Sequence, residues 1–168
     1  MKILITENQY KNILIEQSRH DYLKWKRKNV TLRGMKERYA EENGAGARFG
    51  SGLYSAFLSN KSMAKGYGKV YFLLNAIPKN PKVVHDANFA EIFLQNVVNN
   101  WCKERNIPYN PSKFFKETDI SSEMLRLGYD GLVVKGREMV NYTPPDNVKY
   151  FEHESQLENY YYDFIHKI

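Results

Sequence analysis

The stretch "FGSGLYSAFLSNKSMAKGYG", residues 49–68, decides how this sequence is interpreted. It is rich in glycine, yet neither common phosphate-binding loop fits it. There is no G-x-x-x-x-G-K-[ST] sequence, and its glycines, like Gly44 and Gly46 before it, are not followed directly by a helix. The pattern predicts instead a tight turn at Gly50 and Gly52 that leads into the short extended segment "LYS".

A short helix is predicted to follow, with Ser59 or Asn60 as its cap and its end near Gly66. This arrangement brings Tyr54 and Tyr67 to the same side. Ser62 then lies between the two rings, which together form a slot for a flat aromatic ligand, and its hydroxyl is available to an amide. The alternative is that both tyrosines simply pack in the core.

The composition is that of one globular domain. The chain has 168 residues, of which 42% are hydrophobic and 26% charged, and we find no repeat or low-complexity segment. We expect a single domain over residues 1–168, made of an N-terminal extension (1–28), a core (29–152) and a C-terminal helix (153–168). The net charge of +6 favours polyanionic partners, either nucleic acid or an acidic protein surface.

The sequence also predicts the cellular location of the protein. Its apolar runs, such as residues 70–74, are far shorter than the roughly 20 residues of a membrane helix. The single cysteine, Cys102, lies in an apolar-periodic stretch and is expected to be a buried free thiol, as in a reducing compartment. We therefore expect a cytoplasmic protein without a membrane partner.

Periodicity and turn residues predict the remaining elements. The late strands are joined too closely for helical crossovers, which favours an α+β fold over a doubly wound α/β fold. The predicted strands are 2–5, a strand ending at Gly34, "KVYFLLNAI", "NPKVVHD", "YDGLVVKG", "EMVNYT" and "VKYFE". The predicted helices are one that starts in the capping box of Thr6 and Gln9, one over 89–105, one at "SEMLRL" capped by Ser121 or Ser122 and ended by Gly128, and a final helix. The helix over 89–105 has Phe89, Ile92, Phe93, Val97 and Trp101 near one face, and the loop "IPYNPSKFFKETD" follows it.

One basic segment has two interpretations. Lys24, Lys26, Arg27 and Lys28 lie beside Tyr22 and a tryptophan, and such a mixture of cations and rings can hold a phosphate backbone while bases stack. The alternative is a solvated connector with one buried ring.

The glycine and tyrosine stretch resembles the central motif of the ADP-ribosyltransferases, especially the poly(ADP-ribose) polymerase and diphtheria-toxin branch. Two further signatures occur in the family's order. Upstream, "VTLRG" is similar to the strand that ends in His-Gly or Arg-Gly, here Arg33 and Gly34. Downstream, "GYDGLVVKGREMVNYTPPDNVKYF" is similar to the family's "GYDGI" strand, its catalytic glutamate, here Glu138, and the closing strand of phage-encoded members.

The resemblance implies a split antiparallel β-sheet core with surrounding helices, and NAD as the donor of ADP-ribose. Glu138 would be the catalytic residue, stabilising the positive charge that develops on the ribose when nicotinamide leaves. The residues that would bind NAD are Arg33 at the pyrophosphate or adenosine ribose, Gly34 and Ser62 at the carboxamide, Tyr54 and Tyr67 at the nicotinamide ring, and Ser55 as a secondary candidate.

Two departures from the family pattern restrict the expected reaction. Arg33 stands where polymerases have histidine, which favours transfer of a single ADP-ribose unit. Gly136 stands where the arginine-modifying branch carries a second Glu or Gln, so the acceptor is undetermined and arginine is disfavoured. The resemblance to phage members implies action in a bacterial cytoplasm.

The alternatives are an NAD glycohydrolase, an RNA 2′-phosphotransferase and a non-catalytic nucleic-acid-binding module on the same fold. Whether the macromolecule is an acceptor of ADP-ribose or is bound without catalysis, the residues that would contact it are Lys24, Lys26, Arg27 and Lys28. The four histidines have no metal-ligand spacing, and no metal is expected.

Overall fold

The computed structural model describes residues 6–35, 48–109 and 117–167. The strand predicted at 2–5, the glycines at 44 and 46, and residues 110–116 of the predicted loop lie outside this part of the chain. Of the helices in the described part, none is both long and apolar enough to cross a membrane.

The strands form one seven-stranded sheet with the order β4-β5-β6-β2-β1-β3-β7. Only the β4–β5 pair is parallel, and the other neighbours are antiparallel. The predicted α+β class is therefore confirmed, while β7 pairs with β3 at the far edge although it follows β6 in the chain. The strands are β1 (Val30–Met35), β2 (Leu53–Ala56), β3 (Lys69–Leu74), β4 (Pro81–Val84), β5 (Gly131–Val134), β6 (Glu138–Asn141) and β7 (Lys149–Phe151).

The helices lie between these strands and at both ends of the described chain. They are α1 (Glu7–Asn29), α2 (Lys61–Gly66) after a 3₁₀ turn (Leu58–Asn60), α3 (Ala87–Glu104), α4 (Glu117–Arg126) and α5 (Glu154–Tyr160), which continues as a π-helical segment (Tyr161–Ile165). The short helix predicted within residues 49–68 is confirmed as α2, and the buried Cys102 is confirmed on α3.

Helix α1 begins as predicted and continues further than predicted. Thr6 and Gln9 form both hydrogen bonds of the capping box, which starts the helix. The basic segment, for which a solvated connector was one of the two interpretations, is the last part of the same helix. Tyr22 is 3% exposed and packs against Trp25 and Tyr161, and this tertiary burial fixes a segment whose own pattern is mostly polar.

Two details of the predicted helices α3 and α4 are wrong. Phe89 and Ile92 are 58% and 55% exposed, because α3 packs through a different stripe that includes Ala90 and Leu94. Ser121 is not a cap but lies inside α4, where its hydroxyl donates to the carbonyl of Ser51. Gly128 does follow the helix end, with a φ of 88° that suits glycine.

The helices divide one face of the sheet into separate regions. Residues opposite one another on paired strands share a face, so Leu32, Ala56 and Glu138 lie on the same face, which we call the helical face. On it, α3 and α4 pack over β5 and β6 in the largest core cluster, α2 packs over Leu32 and Ala56, and Leu157 of α5 packs over Val30. Leu53, Leu73 and Ala76 form a smaller cluster on the second face.

Candidate functional site

Glu138 is the first residue of β6 and lies where the α3–α4 region of the helical face meets the α2 region. Its partners across the sheet are Ala56 of β2 and Val134 of β5. The side chain is only 12% exposed, and Arg137 Nε donates to its Oε1 at 3.1 Å. Burial raises the pKa of the Glu138 carboxyl, and the positive charges of Arg137 and Arg48 oppose that rise. The carboxylate is thus mostly withdrawn from water beside a guanidinium group.

Asn60 connects the turn that precedes Glu138 to α2. Its side-chain amide donates to the backbone carbonyl of Arg137 at 3.4 Å, and the Ser62 hydroxyl donates to Asn60 Oδ1 at 3.2 Å. Asn60 makes no side-chain capping bond at the start of α2. Ser62 and Glu138, which are far apart in sequence, are therefore linked through one side chain and one turn.

Gly34 of β1 lies directly beneath α2. A Cβ atom at this position would be 1.7 Å from the carbonyl oxygen of Ala64 and 3.0 Å from Cβ of Tyr67. Only glycine permits this approach without a shift of strand or helix. Tyr67 is the C-cap of α2 and is 61% exposed, so Gly34 and Tyr67 belong to one strand-and-helix contact.

Tyr54 lies on β2 opposite Val140 and is held by its hydroxyl. The hydroxyl accepts a hydrogen bond from the Phe49 amide at 2.9 Å and donates to the Gly50 carbonyl at 2.8 Å. Gly50 has a φ of 100°, as the predicted turn requires. Tyr54 faces the same side of the sheet as Glu138, with its ring against the largest core cluster. The ring contacts in the described part of the chain do not include a Tyr54–Tyr67 pair, so the slot between them stays a prediction.

Arg33 and Ser55 lie on the second face of the sheet, away from Glu138. Arg33 is opposite Tyr71, and burial lowers the pKa of its guanidinium while Tyr150 opposes that effect. Ser55 is 5% exposed, and its hydroxyl has no hydrogen-bond partner within the described ranges. The structure therefore does not bring these two predicted NAD-binding residues together with Glu138.

The four cations of the basic segment have two different environments. Lys26 forms an ion pair with Glu154, keeps only 13% of its side chain exposed, and places Nζ 5.0 Å from the Phe72 ring centroid. Lys24, Arg27 and Lys28 are exposed. Three of the four cations are thus open to an anionic partner.

Arg137, Arg48 and Asn60 belong to the site but were not identified as site residues from the sequence. Arg48 donates to Glu91 of α3 at 2.6 Å, which fixes it near the carboxylate that its charge affects. In the sequence, Arg137 could have been identified as a site residue because it immediately precedes Glu138. In the part of the chain that the structure describes, no group of three or more metal-ligating side chains comes together.

Comparison of the chain with models of known protein families, with curated proteins and with solved structures finds no match.

Proposed function

We propose that this protein transfers a single ADP-ribose unit from NAD to a macromolecular acceptor, on an ADP-ribosyltransferase-like fold and with Glu138 as the catalytic residue. The observation that carries the proposal is the position of Glu138. It is a mostly buried carboxylate at the start of β6, where the segments of the three sequence signatures meet. The resemblance of those signatures supplies the donor and the reaction class.

The chemistry suits a carboxylate in this setting. The bond between nicotinamide and the ribose breaks with its electron pair leaving on nicotinamide, so positive charge develops on the sugar. The negative charge of Glu138 offsets it most effectively where water is largely excluded. An acceptor hydroxyl, carboxylate or amine then bonds to the sugar carbon, and any proton on the attacking atom is released.

The contacts of α2 support the proposed position of nicotinamide. The Gly34 backbone and the Ser62 hydroxyl would bind the carboxamide, while the rings of Tyr54 and Tyr67 would flank the base. Gly34 and Tyr67 are neighbours across the β1–α2 contact, and Ser62 is linked through Asn60 to the Glu138 turn.

We propose that the guanidinium groups of Arg137 and Arg48, rather than that of Arg33, contact the NAD pyrophosphate. Both carry charge that reaches Glu138, whereas Arg33 lies on the opposite face of the sheet. The roles of Arg33 and Ser55 in binding NAD rest on the resemblance alone. The resemblance is also the ground for proposing action in a bacterial cytoplasm.

The test is to incubate the purified protein with cell lysate and NAD labelled in its adenylate phosphate. Nicotinamide release is measured, and nuclease and protease digestion identify the labelled macromolecule. We expect Glu138→Gln to lower the rate of nicotinamide release by about 10²–10³-fold, the usual loss for one transition-state group. Glu152→Gln is the matched control, since Glu152 is an exposed carboxylate paired with Lys69 beyond β7. An active Glu138→Gln protein would contradict the assignment.

Two alternatives give different outcomes in the same experiment. An NAD glycohydrolase would release free ADP-ribose and leave no label on protein or nucleic acid. A non-catalytic nucleic-acid-binding module, which the exposed Lys24, Arg27 and Lys28 favour, would consume no NAD.

A further inference from the structure

We propose that single-stranded nucleic acid is the acceptor and that it binds in a groove between α1 and α2; this assignment rests on the proposed function above. The groove has a volume of about 530 Å³ and is lined by Leu23, Lys26, Arg27, Leu32, Phe57, Leu58, Ser59, Lys61, Phe72 and Glu154. We call it the α1–α2 groove.

The charge of the groove selects an anionic occupant. Among its lining residues Glu154 is the acidic one, and it is already paired with Lys26. Arg27 and Lys61, one on each wall, are exposed and form none of the ion pairs found within the described ranges. Two free cations facing one channel suit a phosphate backbone that runs along it.

A basic stripe extends the groove along α1. His20, Lys24, Arg27 and Lys28 are spaced so that they lie on one side of the helix, and they surround Leu23 in an adjoining depression. A phosphate chain longer than the α1–α2 groove would therefore meet further cations in this direction. Such a row of positive charge is typical of sites that follow a backbone without reading its sequence.

Phe57 favours unpaired bases over an acidic peptide. It is half-buried at the groove, so part of its ring is available for stacking, whereas the Phe72 ring already has Lys26 Nζ over it. Base stacking on aromatic rings is a large, sequence-tolerant part of single-strand binding. A carboxylate-rich peptide would gain nothing comparable from this ring.

One wall of the groove adjoins the turn that precedes Glu138. Ser59 and Lys61 line it, and between them Asn60 donates its amide to the carbonyl of Arg137, the residue before Glu138. A strand held in the groove would thus lie beside the turn that carries the catalytic group, as an acceptor must.

The binding test uses a short fluorescein-labelled single-stranded RNA of mixed sequence and fluorescence anisotropy over a range of salt concentrations. We expect Arg27→Gln/Lys61→Gln to weaken binding at least tenfold and to reduce the slope of log affinity against log salt by about 1.4, because two phosphate contacts are lost. The matched control, Lys11→Gln/Lys103→Gln, has the same net charge but changes exposed lysines away from the groove. Equal slopes for the two double variants would overturn the proposal.

A second variant tests the ring separately from the charge. Phe57→Leu keeps an apolar side chain of similar size, so the fold should persist. We expect it to weaken RNA binding about tenfold with an unchanged salt slope, since stacking is lost and no phosphate contact is. Unchanged affinity would overturn the assignment of Phe57, and tighter binding of poly-glutamate than of RNA would overturn the choice of nucleic acid.

The role as acceptor is tested with the same RNA and adenylate-labelled NAD. Label on the RNA with wild-type protein and its loss with Arg27→Gln/Lys61→Gln would support the proposal. Nicotinamide release with unlabelled RNA would overturn the RNA acceptor while leaving NAD cleavage intact. RNA binding without any nicotinamide release would instead contradict the proposed function and leave the groove as a binding site.

Discussion

Two effects on the protonation of Glu138 oppose each other. Burial disfavours its charged form, while the hydrogen bond and charge of Arg137 favour it. A carboxylate in this balance is less hydrated than a surface carboxylate and so interacts more strongly with a developing cation. Because a glutamate with a raised pKa is protonated up to a higher pH, the balance has a measurable consequence.

We expect kcat/KM for nicotinamide release to fall as the pH is lowered, because protonation removes the negative charge of Glu138. Since the pKa of Glu138 is raised, this fall should occur at a higher pH than for an ordinary glutamate, whose pKa is 4.5. Arg137→Gln removes the neighbouring charge and the hydrogen bond, so the pKa of Glu138 should rise further and the acid limb should move to higher pH. Lys135→Gln, an exposed residue of the same turn, serves as the control. An acid limb for Arg137→Gln at the wild-type pH or lower would contradict this account.

At the scale of elements, the contact between β1 and α2 depends on Gly34. Gly34→Ala would place Cβ 1.7 Å from the Ala64 carbonyl oxygen, so the helix must move away from the strand. We expect a loss of about 1–3 kcal/mol in the free energy of unfolding, as for other overpacked sites. Gly66→Ala is the matched control, because nothing lies within 4 Å of its added Cβ and alanine favours the helix. Both changes are measured by denaturant unfolding, and equal effects would show that α2 is not seated as described.

The sequence predicts the strands of this fold better than its helix faces. Each of β1 to β7 overlaps a predicted strand or extended segment, and the residues that predict them are local signals. The exposure of Phe89 and the continuation of α1 through Lys28 were missed because they depend on tertiary contacts. A helix buries the stripe of residues that its neighbours cover. The small side chain of Ala90 lets α3 approach the core more closely than Phe89 would.

At the scale of the whole molecule, the candidate site was only partly predictable for a similar reason. Gly34, Tyr54 and Ser62 were identified from short motifs, and the sheet order does bring their segments towards Glu138. The role of Asn60 was missed because its partner is the Arg137 carbonyl, which only the completed fold brings close. Arg33 lies on the second face because adjacent residues of a strand alternate between faces, so it cannot share a face with its neighbour Gly34.

The two ends of the described chain are joined by one aromatic cluster, which fixes α1 against the rest of the molecule. Tyr22 of α1 is 3% exposed and lies against Tyr161 and Tyr162, whereas the residues of α1 before Ser18 are exposed. Its hydroxyl has no hydrogen-bond partner in the part of the chain that the structure describes, and burial raises the pKa of Tyr22. The ring therefore stabilises the attachment of α1, while the hydroxyl opposes it.

We accordingly expect Tyr22→Phe to raise the free energy of unfolding by about 1 kcal/mol, because it removes a buried polar atom that is not satisfied. Tyr22→Ala should lower it by about 3–5 kcal/mol through the lost packing. Tyr10→Phe, on the exposed part of the same helix, should change it by less than about 0.5 kcal/mol. Denaturant unfolding measures all three. If Tyr22→Phe is as destabilising as a lost hydrogen bond, the hydroxyl has a partner and the cluster is arranged differently; if Tyr22→Ala is neutral, α1 is not attached to the fold through this ring.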